Sequence, residues 1–457
     1  RQVSTVLDFL IFACCLYILF VSLFHRPWFS PLTPPTVLTN GTTSNHNVDY
    51  GIATATVLVI LMCALALGRA CEWATLPSLL GMLLAGIALH NIPLSFLDSL
   101  TVPRQWSTVL RKMAFVVILL RGGLSLDGEA LKKMKGACIR LALSPCTVEA
   151  VVIAISAKLI FGLSILFGLL LGFVLAAVSP AVVVPSMIRI AQDGYGSGVT
   201  TLVVAAASLD DVYAITLFSL CLSILFATGD SILMTIGRAP LEVVGGCVLG
   251  GFVGYGLRYT RPTSRLFLLL ACSMAMFFGC ERLSIDSAGA MSVLVSAFVA
   301  ASHWRLHEVK TDEEGNLRSL WELIFQPLLF GLIGFELTLS LLSARLVLLG
   351  ILVLAIGVAA RTATAFVAVM GSGMSSKQRL FVALAWLPKA TVQAALAPVA
   401  LDMTSRGNYG SDYEEASLIV FSLAVISILT TAPIGAAVIR LTAPLLLEKD
   451  TVDSSSS

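Results

Sequence analysis

The stretch SILFGLLLGFVLAAVSPAVVVP, residues 164–185, decides the class of fold, because it is long enough to cross a bilayer and contains no charged residue. An α-helix needs about 20 apolar residues to span the hydrocarbon core of a membrane. The whole chain of 457 residues is 57% hydrophobic and only 12% charged, with a mean hydropathy of +0.93. Soluble domains carry about 25% charged residues. The composition therefore excludes a soluble multidomain enzyme and predicts an all-α polytopic membrane protein.

Apolar blocks of similar length recur along the chain and predict about 14 transmembrane helices. An even number of spans places both termini on one side of the membrane. Alternate loops are rich in Lys and Arg, as in 132–140 and 258–265, so the positive-inside rule predicts that these loops and both termini are cytoplasmic. Asn40 begins an Asn-Gly-Thr glycosylation sequon in a loop that this topology places outside. The predicted spans are 5–24, 50–68, 75–90, 108–124, 140–161, 163–191, 198–227, 239–257, 265–281, 287–303, 320–342, 345–370, 379–401 and 415–440.

The two halves of the chain contain similar short strings in the same order. ILLRGGLSLD at 118–127 resembles GLIGFELTLS at 331–340, and Pro180 corresponds to Pro388. In the predicted topology the matching helices start on opposite sides of the membrane, so the repeat is inverted. Inverted repeats with Pro-interrupted helices are typical of secondary transporters whose site lies at the bilayer midplane. The predicted organisation is an extra N-terminal helix and loop (1–49), a first repeat (50–235), a second repeat (236–445) and a cytoplasmic tail (446–457).

Five charged residues lie near the middle of predicted spans, where a charge costs about 3 kcal/mol unless it is paired or functional. Asp210 and Asp211 are adjacent and repel each other, so we expect at least one of them to hold a proton near neutral pH. Such a carboxylate can exchange its proton for a hard cation such as Na⁺, because hard cations prefer oxygen ligands. The five ionised residues sum to −1, which one proton or one monovalent cation neutralises. They are Glu149, Asp210, Asp211, Arg361 and Lys389.

The two buried bases are expected to play different parts. Arg361 stays protonated and reads as a fixed counter-ion, with the symmetry-related Glu149 as its predicted partner. If they are partners, exchanging the two charges should recover part of the stability lost in either single variant. Lys389 directly follows Pro388, where it either titrates or compensates carbonyl groups freed at the helix break.

Other polar residues are candidates for supporting roles at the site. Ser179, Ser208 and Thr391 offer hydroxyl ligands, although hydroxyls in membrane helices usually bond to their own backbone. Arg121 and Glu336 occupy the two repeated strings and are predicted to pair with each other.

Four strings also carry a resemblance to a known family: SLDD at 208–211, AVSPAVVVP at 177–185, FQPLLFGLIG at 325–334 and AWLPKATVQA at 385–394. They resemble the animal NHA-type sodium/proton antiporters of the cation–proton antiporter superfamily, which includes bacterial NhaA. The similarity runs from about residue 70 to 445. It implies an NhaA-like inverted repeat with two Pro-broken crossing helices, and a homodimer in which a core domain moves against a dimerisation domain. It also implies exchange of Na⁺ or Li⁺ for H⁺ at Asp211, with Asp210 beside it.

Two positions depart from the bacterial members of the superfamily. Arg361 stands where electrogenic bacterial members have a lysine, and Ser179-Pro180 stands where many have a Thr-Asp pair. The resemblance therefore does not imply the bacterial stoichiometry of two protons per cation.

Three other classes of membrane protein are alternatives to an antiporter. An intramembrane aspartyl protease needs two acids from different helices, whereas Asp210 and Asp211 lie about 100° apart on one helix. An organic-anion or bile-acid-type transporter can share the fold, and a non-exchanging channel is a further alternative, but a net charge of −1 disfavours an anion.

We therefore expect an antiporter and not an enzyme, and we expect no cofactor. The protein should contact membrane lipids, in the plasma membrane or in an endosomal or other organelle membrane. The 29 basic and 27 acidic residues nearly cancel, so no nucleic-acid partner is expected.

Overall fold

The computed structural model describes residues 50–93, 100–125, 135–226, 232–259, 265–283, 285–307, 313–407 and 409–449. The first predicted span, 5–24, and Asn40 lie outside these ranges. Within them the chain is helical, and the one β-type contact is an isolated bridge between Tyr195 and Lys449. Nine helical stretches of the described chain are long and apolar enough to cross a membrane.

Each span predicted from residue 50 onward overlaps one helix or one pair of consecutive helices, because the apolar blocks that define the spans are also uninterrupted helix formers. A π-helical turn, Trp321–Phe325, joins the helices Glu313–Leu320 and Gln326–Glu336, and a 3₁₀ turn, Leu339–Leu341, follows the second of them. The α-helices are α1 (Tyr50–Trp73), α2 (Ser78–Asn91), α3 (Arg104–Ser125), α4 (Lys135–Phe161), α5 (Ile165–Ala176), α6 (Pro180–Gln192), α7 (Ser197–Leu225), α8 (Ile232–Leu257), α9 (Arg265–Arg282), α10 (Asp286–His307), α11 (Glu313–Leu320), α12 (Gln326–Glu336), α13 (Ala344–Ala368), α14 (Ser376–Ala385), α15 (Thr391–Arg406) and α16 (Ser411–Leu446).

Two apolar stretches are each divided into a pair of helices by a non-helical segment. Residues 177–179 separate α5 from α6, and residues 386–390 separate α14 from α15. Pro180 opens α6 at a position where a helix does not need the missing N–H. The backbone N–H of Ser179 donates to the carbonyl of Pro388 at 2.8 Å, so the two non-helical segments lie against each other.

The helices around these two breaks form one packed group: α4 lies along α5, α7 and α13, while α16 packs against α14 and α15. A second group contains α2 and α12, whose backbones approach closely at glycine. A Cβ on Gly86 would lie 2.0 Å from the carbonyl oxygen of Gly331, and one on Gly334 would lie 2.2 Å from that of Leu83. Small residues permit this approach, which drives helix association where the hydrophobic effect cannot.

Candidate ion-binding site

Four charged side chains with no solvent exposure meet at the two breaks. Glu149 comes from α4, Asp210 from α7, Arg361 from α13 and Lys389 from the segment before α15. Isolated charges in a medium of low dielectric constant are strongly unfavourable, so buried charges are stable only when they are paired and hydrogen-bonded. Two acids and two bases give this group, which we call the buried charge cluster, a net charge of zero.

Arg361 links both acids of the buried charge cluster. Its Nη1 donates to Glu149 Oε2 at 2.8 Å, and its Nη2 lies 3.1 Å from Asp210 Oδ2. Its Nε donates to the carbonyl of Trp386 at 3.0 Å, and Nη1 also donates to the carbonyl of Ala176. The planar guanidinium carries five N–H donors in fixed directions, so it can bind two carboxylates and two carbonyls at once. The ion pair with Glu149 that the sequence suggested is present, and Asp210 is an additional partner.

Lys389 is the second base that Glu149 binds. Its Nζ lies 2.7 Å from Glu149 Oε1 and 2.9 Å from Oε2. It also donates to the carbonyl of Leu175 at the end of α5, and its backbone N–H donates to Thr431 Oγ1 at 3.2 Å. The sequence suggested that Lys389 either titrates or donates to carbonyl groups freed at a helix break, and these contacts match the second role. The carbonyl that it binds, that of Leu175, lies at the break between α5 and α6 and not at the break that contains Lys389.

Side chains from distant helices satisfy the carbonyl groups at the C-terminal end of α5. A helix leaves its last carbonyls without intrahelical partners, and its C-terminus carries partial negative charge. Gln393 Nε2 donates to the carbonyls of Val174 at 2.9 Å and of Ala177 at 2.8 Å, while Lys389 and Arg361 donate to the two carbonyls between them. Gln393 was not identified from the sequence, because a neutral amide in an apolar helix gives no charge signal.

The adjacent carboxylates Asp210 and Asp211 occupy different environments. Asp210 is fully buried. Its Oδ2 accepts hydrogen bonds from the guanidinium of Arg361 at 3.1 Å and from the backbone N–H of Val178 at 2.7 Å. Asp211 is 9% exposed, and its buried Oδ1 has no hydrogen-bond partner in the part of the chain that the structure describes. Because the other four mid-span charges cancel, the formal net charge of −1 of the five is the charge of Asp211 when it is ionised.

Two hydroxyls proposed as accessory ligands lie where the broken helices meet. Ser179 Oγ is 3.4 Å from Thr391 Oγ1, and both residues are buried. They stand at the N-terminal ends of α6 and α15. Among the described residues no group of three or more His, Cys, Asp or Glu side chains is arranged to hold a metal ion.

The predicted pairing of Arg121 with Glu336 is wrong. Glu336 lies 3.3 Å from the guanidinium of Arg111, which also pairs with Asp402 of α15 at 3.0 Å. Arg121 lies ten residues further along α3, about 15 Å along the helix axis, with its guanidinium 5.5 Å from the ring centre of Trp321. The repeated strings correctly predicted an ion pair between α3 and α12, but the arginine that forms it lies on a different turn of α3. Arg111 was missed because it lies near the predicted start of its span.

Comparison with known proteins shows which transporters the chain resembles. The family model described as sodium/hydrogen exchanger, transmembrane, matches residues 57–440. Human sodium/hydrogen exchanger 9B2 is 44% identical over 383 residues, which cover 82% of this chain and 70% of that protein. Human sodium/hydrogen exchanger 9B1 is 39% identical over 382 residues, 82% of this chain and 73% of that protein. The 9B2 protein of Xenopus tropicalis is 44% identical over 408 residues, 86% of this chain and 75% of that protein.

The fold is also similar to that of a solved structure. The sodium proton antiporter MjNhaP1 from Methanocaldococcus jannaschii superposes with a TM-score of 0.70, covering 86% of this chain and 98% of the archaeal chain, at 20% sequence identity. The likeness at this identity concerns the fold alone. The matching family model and the relatives named above are sodium/hydrogen exchangers, so they do not favour the anion-transporter or channel alternatives.

Proposed function

The chain belongs to the sodium/hydrogen exchanger family, so it is a membrane antiporter that exchanges Na⁺ for H⁺, and we propose that Asp211 is the carboxylate at which the two ions compete. One observation carries this assignment. The buried charge cluster is neutral and each of its members is paired. Asp211 is its sequence neighbour, is slightly exposed, and has an oxygen without a hydrogen-bond partner among the described residues. An ionised carboxylate in such surroundings is unfavourable unless a proton or a cation neutralises it.

Competition for one carboxylate is sufficient for coupled exchange when the site opens to one side of the membrane at a time. A proton must leave Asp211 before Na⁺ can bind, and Na⁺ must leave before the proton returns. The cluster beside it keeps Asp210 engaged with Arg361 and Val178, so Asp210 acts as a neighbour that shapes the site and Asp211 as the carrier. Li⁺ is a second expected substrate, because it is also a small monovalent cation with a preference for oxygen ligands.

The finer architecture is part of the same proposal. The non-helical segments 177–179 and 386–390 are the interruptions of two crossing helices, and their mutual hydrogen bond supports this assignment. We place these helices in an NhaA-like inverted repeat, 50–235 and 236–445, within a chain of about 14 transmembrane helices. The protein works as a homodimer in which the helices around the breaks move against the remainder. Both termini face the cytoplasm and Asn40 is glycosylated. The protein acts in the plasma membrane or in an endosomal or other organelle membrane.

The charge balance also predicts the stoichiometry. Because one proton or one monovalent cation neutralises the net charge of −1, the loaded site carries the same charge in both directions of transport. Exchange should then be one for one and insensitive to membrane potential. This is tested by imposing K⁺/valinomycin potentials on liposomes that contain the purified protein. A rate of Na⁺-driven proton flux that changes steeply with potential would contradict one-for-one exchange.

The assignment of Asp211 is tested by Asp211→Asn in the same liposomes. The amide is nearly isosteric but can neither bind a proton in this range nor attract a cation, so Na⁺-dependent proton flux should fall to the level of protein-free liposomes. Glu415→Gln, which removes an exposed carboxylate at the start of α16, is the matched control and should retain full flux. Undiminished exchange by a folded Asp211→Asn protein would refute the assignment.

A further inference from the structure

Two serine hydroxyls from different helices meet close to Asp211. Ser125 at the end of α3 and Ser208 in α7 have their Oγ atoms 3.3 Å apart. Ser208 precedes Asp211 by three residues on the same helix, and residues at this spacing are surface neighbours with Cβ atoms about 5–6 Å apart. The hydroxyl pair and the carboxylate of Asp211, whose Oδ1 has no hydrogen-bond partner in the described part of the chain, therefore lie on one side of α7, whereas Asp210 faces Arg361.

The hydrogen atoms of both hydroxyls have acceptors within their own helices. Ser125 Oγ donates to the carbonyl of Gly122 at 3.0 Å, and Ser208 Oγ lies 3.5 Å from the carbonyl of Val204. A hydroxyl has one hydrogen and two lone pairs. When both hydrogens point back into the helices, lone pairs of the two oxygens are directed toward each other. Such a concentration of acceptors is favourable when a cation lies among them.

The spacing of the two oxygens fits one ion. Oxygen ligands about 2.4 Å from a cation, the distance found for Ca²⁺, lie about 3.4 Å apart at neighbouring octahedral positions. Na⁺ has nearly the same ionic radius as Ca²⁺, and the observed separation of 3.3 Å is close to this value. The exposure of the two side chains also fits a site that an ion can reach from solvent, since Ser125 is exposed while Ser208 is 6% exposed.

We propose that Ser125 and Ser208 are ligands of the transported cation at Asp211 and set the preference between Na⁺ and Li⁺. This inference rests on the proposed exchange at Asp211 and adds the groups that discriminate among cations. Selectivity between hard cations of different size depends on the number and spacing of oxygen ligands. A smaller ion is satisfied by fewer ligands. Removing one hydroxyl should therefore weaken Na⁺ binding more than Li⁺ binding.

The test compares Ser208→Ala and Ser125→Ala with the wild-type protein in proteoliposomes, measuring proton flux against Na⁺ and Li⁺ concentration. For each variant we expect the KM for Na⁺ to rise about fivefold and that for Li⁺ about twofold, as loss of a binding contact predicts. Ser223→Ala is the matched control, because Ser223 lies further along α7 and makes a similar contact of 3.5 Å with Ser287. Ser208→Thr, which keeps the hydroxyl, should retain the wild-type ratio of the two KM values.

The outcomes separate this inference from the proposal on which it rests. An increased ratio of the Na⁺ to the Li⁺ KM in both alanine variants, absent in Ser223→Ala and in Ser208→Thr, supports the inference. An unchanged ratio in both alanine variants, with an active wild-type protein, overturns the inference and leaves the exchange at Asp211 intact. If Ser208→Ala does not fold, the ratio in Ser125→Ala and Ser208→Thr decides. Absence of cation-dependent flux in the wild-type protein would overturn the proposed function itself.

Discussion

Exchanging the charges of Glu149 and Arg361 should not restore the stability of the protein, although the sequence suggests that it would. In the structure each residue has a second charged neighbour. Lys389 Nζ lies 2.7 Å from Glu149, and Asp210 lies 3.1 Å from Arg361. In the double variant Glu149→Arg/Arg361→Glu, the new arginine faces Lys389 and the new glutamate faces Asp210. Two attractive contacts are thereby replaced by two repulsive ones.

The size of the effect follows from these distances. Two unit charges about 3 Å apart interact by about 5 kcal/mol at an effective dielectric constant of 20, so each reversed contact opposes folding by a similar amount. Removing one partner of a buried ion pair costs about 3–5 kcal/mol. Such losses are a large part of the total stability of a folded protein, about 5–15 kcal/mol. The swapped protein should thus be no more stable than the worse of the two single variants.

A pair that keeps the buried charge cluster neutral should behave differently. Glu149→Gln with Lys389→Gln removes one charge of each sign and leaves the contact between Arg361 and Asp210 in place. Its destabilisation should be about 2 kcal/mol less than the sum of the two single effects, a coupling within the range for contacting residues.

Thermal unfolding of the purified protein in detergent measures both double variants. Glu322→Gln with Arg318→Gln is the control, since this ion pair has side chains that are 52% and 55% exposed, and such pairs contribute at most about 1 kcal/mol. A melting temperature of the swapped protein above that of both single variants would refute the reasoning. So would strict additivity of Glu149→Gln and Lys389→Gln.

Three further predictions concern residues other than Asp211 that stabilise the fold. Gln393→Leu leaves the carbonyls of Val174 and Ala177 without this donor and should destabilise the protein by about 1–3 kcal/mol per carbonyl in thermal unfolding. A melting temperature equal to wild type would contradict the capping role. Arg111→Met leaves two carboxylates facing each other and should cost about 3–5 kcal/mol, whereas Arg104→Met, at a side chain 53% exposed, should cost less than about 1 kcal/mol. Gly86→Ala places a Cβ 2.0 Å from a backbone oxygen and should abolish the peak of folded protein in size-exclusion chromatography. Gly245→Ala, whose Cβ meets nothing within 4 Å, should be tolerated. Equal yields of the two variants would contradict the close approach of α2 and α12.

The positions of the helices and the identities of the mid-span charges could be read from the sequence. Each apolar block must satisfy its backbone within itself and match the width of the bilayer, so hydropathy along the chain is enough to locate it. The energetic cost of a buried charge marked Glu149, Asp210, Asp211, Arg361 and Lys389 in the same way. These inferences need no knowledge of which helices are neighbours.

The partners within the site could not be read with the same success. The repeat suggested Glu149 for Arg361, but it gave Glu336 the wrong arginine, because similarity between two strings does not fix which turns of two helices face each other. Gln393 escaped notice because its amide carries no charge and its two acceptors lie more than 200 residues away in the chain. Contacts of this kind depend on the angle and depth at which helices pack.

The sequence by itself determined that the chain is helical and spans a membrane and that five mid-span charges sum to −1, since both properties follow from the energetics of single residues in a bilayer. Only the tertiary structure decided which residue carries that net charge. Packing of α4, α7, α13 and the two breaks neutralises four of the charges among themselves. Among the residues that the structure describes, Asp211 has no compensating base, because it points to another side of α7 than Asp210. The two side chains differ by about 100° on one helix, and this difference matters only when the neighbouring helices are in place.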